Sequence, residues 1–194
     1  MTVYATLDSP LGDLLLVGEE SATAKGGTAL VSLSMPGQKG AAVVRDGWRR
    51  APEAFAEIGH QLRAYFDGDL TRFEVEYAPG AGTDFQRRVW AELDSIPYGA
   101  TTSYGEIARR IGASPVMVRA VGTAIGRNPA LVVRPCHRVI GSDGTLKGYA
   151  AGLDRKEHLL GLEGALGGVP AASATPVVPV ASGAVQPASA STSP

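Results

Sequence analysis

The chain contains one cysteine, Cys136, within the cationic segment Arg134-Pro135-Cys136-His137-Arg138. Nearby positive charge favours a thiolate over a thiol, which lowers the thiol pKa and raises its reactivity at neutral pH. His137 could accept the thiol proton, although adjacent side chains of an extended segment point apart and a bridging water could be needed. The segment indicates a nucleophilic thiol; the alternative is that a lone cysteine is a small buried hydrophobic residue.

The scarcity of cysteine and histidine limits the other sites that the chain can form. A single cysteine excludes an intramolecular disulfide and thiolate-rich zinc sites. The three histidines, His60, His137 and His158, are too scattered to indicate a metal site. We therefore expect neither a bound metal nor a cofactor.

The 194 residues show no feature of a membrane or exported protein. They contain no run of about 18 apolar residues that could span a membrane, and the first residues lack the basic and apolar regions of a signal peptide. Arginine outnumbers lysine, which is typical of a GC-rich bacterial genome. We expect a protein of the bacterial cytoplasm with no membrane partner.

Basic charge is concentrated in one part of the sequence. The net charge is only -1. No acidic residue lies between Glu106 and Asp143, and that interval holds the arginines at 109, 110, 119, 127, 134 and 138. Arginine binds phosphate through paired hydrogen bonds, so the stretch is consistent with a nucleic-acid interface. A solvated cationic face is the alternative.

The first part of the chain predicts a small α/β domain over residues 1–78. Apolar patterning predicts strands at 3–7, 14–17, 28–33 and 73–77, and an amphipathic helix at 52–66. The sequence Pro79-Gly80-Ala81-Gly82 then predicts a linker over 79–82.

Residues 83–164 predict a mainly helical domain with clear start signals. Thr83 and Ser103 each precede a glutamine or glutamate by three residues, which is the capping-box pattern. Ser114 precedes a proline and predicts the next N-cap, and Asp154 predicts the last one. Short helices joined by a glycine-containing turn are typical of a helix-turn-helix, although an ordinary helix pair gives the same pattern.

The last residues, 165–194, differ in composition from the rest. Residues 170–194 carry no charge and are mostly Ala, Pro, Ser, Val and Thr. Such a tail buries too little apolar surface to offset the entropy of ordering it, so we expect disorder. The predicted fold class is α+β, with two domains before the tail.

Several motifs in this order resemble those of the O6-alkylguanine-DNA alkyltransferases. The central one runs from Pro135 to Ile140, with Asn128-Pro129 before it and Gly148-Tyr149 after it. Further matching segments are 82–90, 96–99, 103–108 and 119–122. The resemblance is close over 82–163 and loose before it. It implies a ribonuclease-H-like N-terminal domain and a C-terminal domain with a winged-helix-like helix-turn-helix.

The resemblance implies DNA repair by direct reversal of damage. A duplex carrying O6-alkylguanine would be bound from its minor groove, the base would be flipped out, and its alkyl group would move to Cys136; O4-alkylthymine is a second expected lesion. The thioether product is stable, so each chain would act once. The free protein would be a monomer that binds DNA cooperatively.

The resemblance also assigns roles to single residues. His137 and Glu163 would relay the thiol proton through a water, and Tyr104 would donate a hydrogen bond to a guanine ring nitrogen. The substrate pocket would be formed by Tyr149, Ala150, Val139 and Asn128. The DNA contacts would come from Arg119, Ala120, Thr102, Ser103 and Arg127, with Arg119 entering the base stack.

Other interpretations use only part of these residues. A non-catalytic binder of alkylguanine resembles the family but lacks the cysteine at position 136. A plain helix-turn-helix regulator leaves Cys136 and Tyr149 unexplained, and a cysteine hydrolase needs a distant histidine. One departure from the family is Arg134, which replaces an apolar residue and could contact phosphate or lower the thiol pKa further.

Overall fold

The N-terminal part is a four-stranded sheet covered by one helix. The computed structural model describes residues 1–166, so nearly all of the tail lies outside it. Strands β1 (Thr2–Leu7), β2 (Leu14–Glu20), β3 (Thr28–Ser34) and β4 (Arg49–Arg50) form a sheet in the order β3-β2-β1-β4. The pairs β1–β2 and β2–β3 are antiparallel, whereas the short β4 pairs parallel with β1. The first three of the four strands predicted in this part are confirmed.

The helix that covers this sheet is α1 (Ala56–Phe66), preceded by a 3₁₀ turn at Pro52–Phe55. It buries Ile58, Leu62 and Tyr65, as its apolar spacing predicts. The strand predicted at 73–77 is wrong, because only an isolated bridge joins Tyr77 to Leu30. The Gln61 side chain bonds both the N–H and the carbonyl of Glu74, and so takes the place of a neighbouring strand there.

The C-terminal part is mainly helical. Its helices are α2 (Asp84–Asp94), α3 (Tyr104–Arg110), α4 (Val118–Gly126) and α5 (Leu153–Leu162), and β5 (Thr102–Ser103) pairs parallel with β6 (Val139–Ile140). Helices α3 and α4 follow each other through a 3₁₀ turn at Pro115–Met117, as a helix-turn-helix does. Among residues 1–166, no helix is long and apolar enough to cross a membrane.

The helix starts agree with the sequence in part. Thr83 forms the complete capping box with Gln86. The Ser103 side chain accepts a hydrogen bond from the N–H of Glu106. The Glu106 carboxylate binds two arginines and forms no bond with the N–H of Ser103, so this capping box is incomplete. The N-cap position predicted at Ser114 is confirmed, with Pro115 opening the 3₁₀ turn that leads into α4, although the Ser114 side chain makes no capping bond. The N-cap predicted at Asp154 is wrong, because α5 begins after Gly152, whose φ of 98° is a conformation that favours glycine.

The two parts meet along β3. The N–H of Leu33 donates to the carbonyl of Pro129 (2.9 Å), and the N–H of Leu131 donates to the carbonyl of Leu33 (3.1 Å). Their buried apolar residues form one continuous core. The edge strand of the N-terminal sheet therefore holds the segment that leads to Cys136.

Candidate active site and nucleic-acid interface

Two tight turns present Cys136 at the end of the segment held by β3. The N–H of Val133 bonds the carbonyl of Leu131 (2.8 Å) across Val132, whose φ of 69° is rare for a β-branched residue. The N–H of Cys136 bonds the carbonyl of Arg134 (2.8 Å) across Pro135, whose φ of −81° and ψ of 58° are those of the common, unstrained inverse γ-turn. Strained backbone such as that at Val132 is tolerated where the surrounding structure fixes it, and it clusters at functional sites.

The Cys136 thiol is buried and has one side-chain partner. Nδ2 of Asn128 lies 3.1 Å from Sγ and 2.9 Å from the carbonyl of Arg134, so Asn128 braces the turn as well as the thiol. Burial raises the pKa of Cys136 to about 11, against the opposing effects of Asn128, Lys156 and Arg134. The expectation of a lowered thiol pKa is therefore wrong for the protein without DNA, because desolvation outweighs the nearby positive charge.

This thiol pKa predicts how free protein reacts with iodoacetamide. Only the thiolate reacts, so labelling of Cys136 should be slow at neutral pH and should rise about tenfold per pH unit up to about pH 10. Peptide mass spectrometry can follow the modification because the chain has no other cysteine. A labelling rate that is already at its plateau near neutral pH would contradict the buried, protonated thiol.

His137 and Glu163 meet in a buried cluster beside the cysteine. Nε2 of His137 lies 2.8 Å from Oε1 of Glu163, and Arg138 donates to both carboxylate oxygens (2.8 and 2.9 Å). Although burial alone would raise it, hydrogen bonds from His137 and Arg138 hold the pKa of Glu163 at about 2. Burial lowers the pKa of His137. The imidazole is thus neutral with its proton on Nε2, and the buried Nδ1 has no hydrogen-bond partner within residues 1–166.

A cavity of about 530 Å³ opens next to the thiol. Of the residues expected at a substrate pocket or DNA interface, it is lined by Tyr104, Cys136, Tyr149, Ala150 and Arg127. Its wall also includes Lys39 and Gly40 of the N-terminal part, which the sequence did not suggest. The N–H of Lys39 donates to the carbonyl of Ala150 (3.1 Å), so the N-terminal part closes one side of the cavity.

Lys156 is another residue that the sequence did not single out, and it holds main-chain carbonyls near this cavity. It is fully buried, and Nζ lies 2.6 Å from the carbonyls of both Val139 and Lys147. Burial lowers its pKa to about 8. The available signal was its position on α5, three and four residues before the apolar Leu159 and Leu160 and thus on the buried face.

The outer face of α4 presents the basic residues expected to meet DNA. Arg119 and Arg127 are exposed, and Ala120 is half-buried between them and the core. Thr102 is buried and the Ser103 hydroxyl is used to cap α3, so these two side chains do not project from the surface as free ligands.

Of the two roles suggested for Arg134, the phosphate contact is wrong, and the lowering of the thiol pKa is present but small. Its guanidinium binds Asp94 (3.0 Å) and lies 4.0 Å from the centre of the Tyr77 ring. With 7% of its surface exposed it is not available to phosphate, and its effect on the thiol pKa is smaller than those of Asn128 and Lys156. It joins α2 to the end of the N-terminal part.

The arrangement agrees with the comparisons to known proteins. Residues 84–165 match the family described as 6-O-methylguanine DNA methyltransferase, DNA binding domain, and residues 2–79 match 6-O-methylguanine DNA methyltransferase, ribonuclease-like domain. The chain belongs to the 6-O-methylguanine DNA methyltransferase family.

Members of this family resemble the chain over nearly their whole length. A methylated-DNA–protein-cysteine methyltransferase of Mycolicibacterium paratuberculosis is 51% identical over 84% of this chain and 93% of its own, and one from Methanosarcina acetivorans is 50% identical over 83% and 97%. The crystal structure of Mycobacterium tuberculosis OGT in complex with DNA has a TM-score of 0.74 and 48% identity, covering 87% of this chain and 96% of that one. The expected family and α+β fold are confirmed.

Proposed function

We propose that this chain repairs DNA by direct reversal, moving the methyl group of O6-methylguanine in duplex DNA onto Sγ of Cys136. The observation that carries the proposal is a lone thiol beside a cavity of about 530 Å³, which is large enough to admit a base. A neutral histidine lies next to it, and its Nδ1, which has no partner within residues 1–166, can take a proton. The names of the relatives support the same reaction.

The transfer is a single displacement at carbon. The thiol proton passes through a water to Nδ1 of His137, a bond forms between Sγ and the methyl carbon, and the bond from that carbon to O6 breaks. The departing guanine anion takes a proton at a ring nitrogen from the hydroxyl of Tyr104. The proton that the thiol gave to His137 passes to solvent, and solvent returns one proton to Tyr104. Glu163 stabilises the imidazolium that forms. The thioether product has no good leaving group, so each chain reacts once.

The buried position of the thiol requires the base to leave the duplex. Only 4% of the Cys136 surface is exposed, and a stacked guanine cannot reach it. In our proposal α4 enters the minor groove and Arg119 fills the gap in the base stack. Arg127, Ala120, Ser103 and Thr102 contact the backbone nearby, the last two through main-chain groups. Flipped O4-alkylthymine reacts in the same pocket.

The flipped base is held by main-chain groups and one ring. The carbonyls of Cys136 and Val139 accept the guanine amino group, the N–H of Ala150 faces the base oxygen, and Tyr149 forms the wall. Asn128 keeps the turn in place. Because main-chain donors and acceptors move little on binding, the pocket is preorganised for one base.

The two parts of the chain divide the work. Residues 83–164 bind DNA and carry the thiol, and residues 1–78 support them from behind. We propose that the free protein is monomeric, that further copies bind beside the first on DNA, and that it acts in the cytoplasm of a bacterial cell.

Intact-mass analysis after incubation with a duplex carrying O6-methylguanine tests the reaction. We expect the mass of one methyl group to be added, on the Cys136 peptide alone, saturating at one per chain. Cys136→Ala should bind the lesion duplex without gaining mass. Binding by the wild type without any gain of mass would instead indicate a protein that only recognises the lesion.

A further inference from the structure

The Glu163 carboxylate receives a hydrogen bond from the N-terminal part of the chain. The hydroxyl of Tyr65, on α1, lies 2.7 Å from Oε1 of Glu163 and donates to it. Nε2 of His137 lies 2.8 Å from the same oxygen. Oε1 also accepts from Arg138 (2.9 Å), and Oε2 accepts from Arg138 and from the N–H of Gly99. Within residues 1–166, Tyr65 is the one donor to Glu163 that precedes the linker.

Packing fixes the Tyr65 hydroxyl in this position. The residue is fully buried, and its ring is flanked by Phe66, Phe73 and Tyr98 with centroid distances of 5.4, 5.2 and 6.1 Å. Burial and the neighbouring Glu163 charge raise the pKa of Tyr65. The phenol therefore stays protonated and can only donate to the carboxylate.

The shared oxygen couples Tyr65 to the proton acceptor. A donor to Oε1 withdraws negative charge from the atom that faces Nε2 of His137, because hydrogen bonds stabilise the charged carboxylate. Less charge on Oε1 means less attraction for an imidazolium. We infer that Tyr65 is a positioning residue for methyl transfer: it fixes the Glu163 carboxylate and keeps His137 neutral, so that Nδ1 can accept the thiol proton. This inference rests on the proposed function.

The titratable groups around His137, Glu163 and Tyr65 decide at which pH the inference can be tested. The titratable groups whose charges act on or respond to His137, Glu163 or Tyr65 are Arg138, Lys156, Tyr149 and Tyr98. Hydrogen bonds hold the pKa of Glu163 at about 2, while burial lowers the pKa of Lys156 to about 8 and raises that of Cys136 to about 11. Because none of these three pKa values lies at weakly acidic pH, a change of transfer rate there reports a change in the protonation of His137.

The test is Tyr65→Phe, which removes one oxygen and keeps the ring. Without that donor His137 should hold a proton at higher pH and be unable to take another from the thiol. At about pH 6 we expect single-turnover transfer to slow about tenfold, a part of the roughly 10²–10⁴-fold that general base catalysis contributes. At about pH 8, where His137 is neutral in both proteins, the rates should agree within about twofold.

Tyr77→Phe is the matched control. Its hydroxyl lies 3.5 Å from Oδ1 of Asp94, so it too is a tyrosine of the N-terminal part facing a carboxylate of the C-terminal part, away from His137. This variant should leave the pH profile unchanged. Equal profiles for wild type, Tyr65→Phe and Tyr77→Phe, or equal slowing at both pH values, would overturn the inference and leave Tyr65 as a packing residue.

A second measurement does not depend on transfer. The ¹⁵N shifts of His137 report its tautomer and titration, and the other histidines, His60 and His158, are exposed. Tyr65→Phe should move the titration of His137 to higher pH, and an unmoved titration would contradict the inference even if transfer slowed. If the wild type transfers no methyl group at all, the proposed function fails, and this titration still decides what Tyr65 does.

Discussion

Replacing Glu163 by glutamine should lower the free energy of unfolding by about 3–5 kcal/mol, the usual cost of breaking a buried ion pair on one side. The carboxylate is the partner of Arg138, whose Nε and Nη2 both point at it, and each residue is more than nine-tenths buried. A glutamine amide offers one acceptor oxygen in place of two charged ones. The guanidinium would then remain buried without a counter-charge.

The same substitution should slow methyl transfer at least about 100-fold, within the range that a positioned acid–base group contributes. Glutamine cannot stabilise an imidazolium at His137, and its NH₂ group can face Nε2 and favour the wrong tautomer. Chemical denaturation and single-turnover transfer measure the two effects. Transfer within about threefold of the wild-type rate would contradict the role proposed for Glu163.

Acid unfolding gives an independent check. The folded pKa of Glu163, about 2, lies below the ordinary value of 4.5 for this side chain. A depressed carboxyl pKa contributes stability that is present above the unfolded value and is lost as pH falls through the folded one. Wild-type stability should therefore decline between about pH 4.5 and pH 2 more steeply than that of Glu163→Gln.

Asp94→Asn is the matched control for these measurements. It also removes the carboxylate partner of an arginine, Arg134, but the Asp94 side chain is 37% exposed. Solvent screens such a pair, so its loss should cost no more than about 1 kcal/mol. A comparable loss of stability in both variants would show that burial does not set the strength of the Glu163 cluster.

The sequence predicted those parts of the fold that depend on local signals. Thr83 and Gln86 predicted the start of α2, since a capping box needs only four residues. The strand predicted at 73–77 was wrong, although its apolar residues do alternate. There the side chain of Gln61 forms the hydrogen bonds with Glu74 that a neighbouring strand would form. No local sequence pattern predicts that a side chain takes the place of a strand.

The candidate site likewise combines residues that local sequence identifies with contacts that only the fold creates. Cys136 and His137 stand together in the sequence, and the resemblance to the family also assigned Glu163. Tyr65 looked like an ordinary core residue of α1, because its bond to Glu163 joins residues 98 positions apart. The sign of the Cys136 pKa shift was mistaken because charge can be counted along a sequence, whereas burial, the larger effect here, depends on the fold.

Replacing Lys156 by methionine should slow methyl transfer roughly 10- to 100-fold, which is less than the roughly 10²–10³-fold cost of losing a donor to the reacting atoms, because Lys156 acts through protein carbonyls. The ammonium is a donor to Val139, whose carbonyl we propose reads the guanine amino group, and to Lys147 beside the pocket wall. Methionine fills a similar volume but leaves both carbonyls without this donor. Its loss also removes a positive charge that favours the Cys136 thiolate.

Lys147→Met is the matched control, because the Lys147 side chain is 54% exposed and its ion-pair partner within residues 1–166 is the exposed Asp143. Both variants lose one positive charge, so a general weakening of DNA binding would affect them alike. Replacing the buried Lys156 should change the transfer rate with little change in affinity for undamaged duplex.

The pH dependence of transfer gives a second check. The wild type itself loses the Lys156 charge above its pKa of about 8, so the wild-type rate divided by the Lys156→Met rate should fall towards one at higher pH. A ratio that stays constant across that pH would mean that Lys156 acts through its hydrogen bonds alone.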